Sequence, residues 1–153
     1  MTINELLVSA GKIDIPSEAA AGEYGEKMDL MISMVNRDML ARPDLSNLTA
    51  DASPEMIKNN SRNHASFIYS IMLAFNPEAL VNTVLWVYRS YRSRSFSTEF
   101  WPVYLNIWID VMKETLDEKS FMEILPLYSW LTDRGDDFAS MTETVSGDNQ
   151  SDM

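Results

Sequence analysis

Apolar residues recur along most of this chain at spacings of three and four positions, the period of an α-helix with one buried face. The clearest stripe lies within residues 17–41 and comprises Tyr24, Met28, Met31, Val35 and Met39. Ser17 is a suitable N-cap for this helix, and Pro43 would stop it. Two-residue alternation and hairpin turns such as Asn-Gly are not found. The pattern therefore predicts an all-α fold.

Prolines mark where the next helices begin. Ser53-Pro54 and Asn76-Pro77 each place a capping side chain before a proline at the first helical position. These pairs predict helices over about 53–75 and 76–94, after a polar link over 44–52. A further helix is expected over about 98–116, where Pro102 is tolerable only in the first turn.

The last predicted helix carries the signals of a capped and bent segment. Ser120-x-x-Glu123 has the form of a capping box, and Gly135 is a suitable C-cap. Pro126 falls between them and is expected to kink the helix. The prediction is one bundle of about five to six helices.

Two of these helices are apolar around most of their circumference. In the helix over 98–116 the polar positions form one narrow strip, and the helix after Ser120 is similarly broad. A single chain of 153 residues has difficulty covering both, which favours a homodimer. The residues expected in the dimer interface or the central core are Trp101, Tyr104, Trp108, Ile109, Leu127 and Trp130.

Charge and composition divide the chain and limit its partners. We expect an N-terminal segment (1–16), a helical bundle (17–135) and an acidic tail (136–153) that is disordered from about 139. The net charge of −11 disfavours nucleic acid and anionic lipid as partners. No apolar run reaches the roughly 20 residues of a membrane span, and no export signal follows Met1. A cytoplasmic protein is therefore expected.

Few residues are suited to catalysis or metal binding. The chain has no Cys and a single His, His64, so thiolate and multi-histidine metal sites are excluded. We therefore expect no enzyme and no metal. His64 lies on the apolar stripe of its helix, three residues before Phe67 and seven after Ile57. It could be a hydrogen-bonded core residue, a pH-sensitive group or an axial haem ligand.

The segment 88–94 alternates aromatic and basic residues. Arg92 lies at the edge of the apolar arc of its helix and therefore needs a partner, whereas Arg89 points to the other side. Two interpretations stay open. Arg92 could have a structural partner, either an aromatic face or an acid, the candidate acids being Glu99, Asp110 and Glu114. Alternatively, it could help to bind a small anionic or haem-type ligand at a site made of His64, Tyr88, Arg89, Tyr91 and Arg92.

The aromatic segments of the second half carry a resemblance to a known group of proteins. The sequence over 84–93 reads Val-Leu-Trp-Val-Tyr-Arg-Ser-Tyr-Arg-Ser, and it is followed by Phe100-Trp101-Pro102, Trp108 and Tyr128-Ser129-Trp130. Residues 64–131 resemble the helical, globin-like modules of bacterial sensory and regulatory proteins, including their non-haem type. The resemblance implies a dimeric, non-enzymatic signal-input module, with or without haem.

The sequence thus leads to one main expectation and two alternatives. The main expectation is a cytoplasmic sensory or protein-interaction module that acts as a homodimer and has a signalling protein as partner. The alternatives are a binder of a small anionic or haem-type ligand near His64 and Arg92, and an enzyme whose active site has no recognisable motif.

Overall fold

The computed structural model describes residues 1–151, with side chains through Glu143, and every regular element in this part of the chain is helical. The helices are α1 (Ile3–Ala10), α2 (Glu18–Leu40), α3 (Leu45–Thr49), α4 (Pro54–Leu73), α5 (Pro77–Ser93), α6 (Phe100–Thr115), α7 (Glu118–Asp133) and α8 (Gly135–Ser151). The all-α prediction is confirmed. None of these helices is long and apolar enough to cross a bilayer.

Three helix starts are those that the sequence predicts. The side chain of Ser17 accepts a hydrogen bond from the backbone N–H of Ala20, which fixes the first turn of α2. Ser53 and Asn76 cap α4 and α5 in the same way, each followed by proline at the first helical position. Because α4 ends at Leu73 and α5 begins at Pro77, the connection between these two helices is short.

The capping-box prediction for the next-to-last helix is wrong. Asp117 caps α7 instead and accepts from the N–H of Ser120 at 2.8 Å, so Ser120 lies inside the helix and is buried. The carboxylate of Glu123 accepts from the N–H of Ser17 at 2.8 Å and thereby holds the start of α2 against α7. Gly135 is not a C-cap but the first residue of α8, and α7 continues through Pro126.

Segments outside the predicted bundle, at 3–10 and 136–143, pack against it, contrary to the predicted boundaries. A capping box at Thr2 begins α1, which packs on α5 and buries Leu6. The expected acidic tail contains α8, which packs on α5 and buries Phe138 and Thr142. Disorder from about 139 is therefore wrong for 139–143. Residues 152–153, and the side chains of 144–151, lie outside the described residues.

Most of the apolar surface of α6 and α7 is covered by the chain itself, although Met122 of α7 is exposed. Helix α2 packs on α4, α6 and α7, and its buried stripe includes Tyr24, Met31, Val35 and Met39. Of the six residues assigned to an interface or core, Ile109 is partly buried, whereas five are buried: Trp101, Tyr104, Trp108, Leu127 and Trp130. Helix α2 thus supplies much of the cover that the apolar pattern assigned to a second copy, and the homodimer stays a prediction.

Candidate functional site

A cavity of about 730 Å³ lies between α4 and α5. It exists because the two helices pack on different partners: α4 lies mainly on α2, whereas α5 lies on α1 and α8. Trp101 and Leu105 of α6 and Leu131 of α7 also line the space. This volume lies within the range of about 300–1,000 Å³ that is typical of small-molecule sites.

The α4 wall of the cavity carries carboxamides. Asn59, Asn60, Asn63 and His64 follow one another at helical spacings and all line the cavity. Asn60 is only 5% exposed, and its Nδ2 has no hydrogen-bond partner in the described part of the chain. An unpaired buried amide costs roughly 1–3 kcal/mol, and a ligand with a hydrogen-bond acceptor would recover this cost.

The opposite wall carries several aromatic rings. Trp86, Tyr88 and Tyr91 of α5 line the cavity together with Trp101. The rings of Tyr88 and Tyr91 each lie 5.5 Å from that of Trp101, centroid to centroid. Trp86 is 64% exposed, which leaves it accessible to a molecule that enters the cavity.

His64 joins the cavity to the aromatic core. Its Nε2 shares a hydrogen bond of 2.9 Å with the hydroxyl of Tyr128, which shares another of 2.9 Å with the hydroxyl of Tyr24. This chain connects α4, α7 and α2. The imidazole also packs against the rings of Tyr104 and Trp108, with distances between ring centroids of 5.6 and 5.1 Å. Burial lowers the pKa of His64 to about 3, so the ring is neutral near pH 7.

Haem does not fit His64 in this arrangement. The Nε2 that would bind iron is held by Tyr128, and the rings of Trp108 and Tyr128 pack against the imidazole. Only one cationic side chain, Arg94, lies among the residues that line the cavity, whereas haem carries two propionates. In the described residues no group of three potential ligands surrounds a metal position.

The structure brings together three of the five residues proposed as a ligand site. His64, Tyr88 and Tyr91 line one cavity, whereas Arg89 and Arg92 do not. Arg92 instead donates to the backbone carbonyl of Ala139 in α8 at 3.3 Å. The guanidinium of Arg92 thus has a backbone carbonyl as its partner. The described residues show no ion pair between Arg92 and any of the acids proposed from the sequence.

Reasoning from the sequence missed the asparagines of α4. The signal was present, because Asn60 lies three residues after Ile57 and four before His64, on the apolar side of the helix. A carboxamide on a buried stripe needs a hydrogen-bond partner, and this requirement alone could have marked the position. Trp86 carried no such signal, since a single exposed aromatic residue is common on protein surfaces.

Comparison with known proteins leaves the site to be interpreted from its geometry. No protein-family model, curated protein or solved structure matches the chain. The cavity between α4 and α5, with unlike walls and an unpaired buried amide, is therefore the basis for the function proposed below.

Proposed function

We propose that this protein is a non-enzymatic sensory or interaction module that binds a small ligand in the cavity between α4 and α5. The observation that carries the proposal is the placement of Asn60, a buried side chain whose Nδ2 has no hydrogen-bond partner among the described residues, on the wall of an accessible cavity that also contains aromatic rings. A few polar groups within an apolar lining are typical of ligand sites.

Binding is better supported than catalysis. His64 is the one imidazole in the chain, and its Nε2 is already engaged with Tyr128. The charged residues that line the cavity are Glu55 and Arg94, both exposed side chains. A nucleophile paired with a base, which covalent catalysis requires, is not present among the lining residues.

A cavity-filling substitution tests this proposal. Val87 lines the cavity, and Val87→Phe places a ring inside it, whereas Val8→Phe makes the same change at a residue of α1 that is 61% exposed. Indole and 2-naphthol serve as probes, with binding followed by the midpoint of thermal unfolding. A ligand that binds only the folded state raises this midpoint.

We expect both probes to raise the midpoint of the wild type and of Val8→Phe, with a much smaller increase for Val87→Phe. The proposal fails if no probe stabilises the wild type. It also fails if Val87→Phe responds as strongly as the wild type does.

A globin-like arrangement and a cytoplasmic role in bacterial signalling remain part of the proposal through the resemblance of residues 64–131. A homodimer or a signalling partner is supported by large apolar side chains on the surface, including Leu30 and Met122, which are 56% and 58% exposed. Light scattering tests the dimer, since a mass of one chain at micromolar concentration contradicts it.

A further inference from the structure

We infer that the ligand is an uncharged, planar nitrogen heterocycle of purine or pteridine type, bound between the asparagines of α4 and the aromatic rings of α5. This inference rests on the proposed function and specifies the ligand of the same cavity. Three features of the site lead to it: the balance of charge, the hydrogen-bonding groups of one wall and the rings of the other.

The charges at the cavity favour a neutral ligand. Glu55 lies in the first turn of α4 and Arg94 is the C-cap of α5, and these two opposite charges are the charged residues among the lining. Arg92, the cation that would favour an anion, is directed to the carbonyl of Ala139. A phosphate or carboxylate would therefore find no surplus of positive charge, and its desolvation would not be offset.

The α4 wall requires a ligand with both acceptors and donors. Each carboxamide offers an N–H₂ donor and a carbonyl acceptor, and Asn60 has a donor already desolvated and unpaired. Because Tyr128 occupies Nε2 of His64, Nδ1 is the ring atom left for a ligand. Ring nitrogens next to amino or carbonyl groups match this set, as in the pairing of asparagine with the edge of adenine.

The opposite wall favours a flat molecule. Tyr91 and Trp101 meet nearly edge to face, with an interplanar angle of 70°, so rings of two orientations line the same space. Exposed Trp86 adds a third ring near the solvent. Stacking of a base on an aromatic side chain contributes about 1–3 kcal/mol in nucleic-acid complexes, and it requires a planar π-face.

Matched pairs of ring systems test the inference. Adenine and lumazine carry the purine and pteridine skeletons, while indene and naphthalene provide the same fused-ring shapes as hydrocarbons. Each dissociation constant is measured by quenching of tryptophan fluorescence, for the wild type and for Asn60→Leu. This substitution keeps the approximate size and removes the unpaired amide, so the variant is expected to fold with undiminished stability.

We expect Asn60→Leu to weaken adenine and lumazine binding by about tenfold and to change hydrocarbon binding by less than about twofold. If Asn60→Leu does not fold, the same comparison is made with Asn63→Leu, because Asn63 is exposed and lines the same wall. Hydrocarbon binding with no loss of adenine and lumazine binding in the variant overturns the ligand class but leaves the binding function. Failure of all four compounds to bind overturns both.

Discussion

Acidification provides a direct test of the environment of His64. This residue is the only histidine, so no other side chain has its ordinary pKa between pH 5 and 7.5. Burial lowers its pKa from 6.5 to about 3 in the folded protein. Below pH 6.5 the unfolded chain takes up a proton that the folded protein does not bind. The free energy of unfolding must therefore fall as the pH falls from 6.5 towards 3.

The size of this stability loss follows from the difference between the pKa values of His64 in the unfolded and the folded protein. Each pH unit below 6.5 costs about 1.4 kcal/mol, so the loss between pH 7.5 and pH 5 is about 2 kcal/mol. Part of the imidazole is accessible and lines the cavity, and water there reduces the cost of charging it. The figure of 2 kcal/mol is therefore an upper value for this interval.

Urea unfolding, followed by tryptophan fluorescence at pH 7.5 and pH 5, measures this loss. The control is His64→Gln, which retains a polar side chain opposite Tyr128 but cannot titrate. We expect the wild type to lose more stability than His64→Gln over the interval, whatever the variant's stability at pH 7.5. An equal loss in both proteins would show that His64 is solvated in the folded state, and the description of its burial would be wrong.

Five substitutions at four positions test local features of the fold, each by urea unfolding. Gly22→Ala should raise the free energy of unfolding by about 0.5–1 kcal/mol, since its new Cβ meets nothing within 4 Å. Gly25→Ala places its Cβ 2.7 Å from the ring of Tyr69, so this variant should be the less stable of the two. Asp117→Ala should lower the free energy of unfolding by about 1 kcal/mol because it removes the cap of α7, and Asp117→Ser should lower it much less. Unchanged stability of the alanine variant would contradict this assignment. Tyr128→Phe should lower the free energy of unfolding by about 1–3 kcal/mol, because it removes a hydroxyl that makes one buried and one partly buried hydrogen bond; a neutral effect would contradict this assignment.

Local rules predicted the helices well where a cap and a proline coincide. Ser53-Pro54 and Asn76-Pro77 fix backbone geometry within a few residues, so neighbouring sequence is sufficient to locate α4 and α5. The start of α7 was misplaced because two capping residues, Asp117 and Ser120, lie three positions apart. The choice between them depends on packing, since Ser120 is buried in the bundle.

Long-range packing accounts for what the sequence could not predict. The composition after Gly135 predicts a tail, yet α8 packs on α5 and buries Phe138 and Thr142. The direction of Arg92 depends on the same contact, because its partner is a carbonyl of α8. Every residue has a backbone carbonyl, so the sequence cannot show which carbonyl will accept a hydrogen bond from Arg92. Acidic side chains can be identified in the sequence, and for this reason it suggests an ion pair instead.

Tyr88 belongs both to the wall of the cavity and to the contact with α8. Its ring lies 5.5 Å from Phe138 on one side and 5.5 Å from Trp101 on the other. A chain shortened after Arg134, where the composition turns acidic, would remove the support behind this tyrosine and leave its ring free to rotate. Shortened versions of the protein are thus unsuited to affinity measurements, because trimming the carboxyl terminus would change the shape of the very recess being probed.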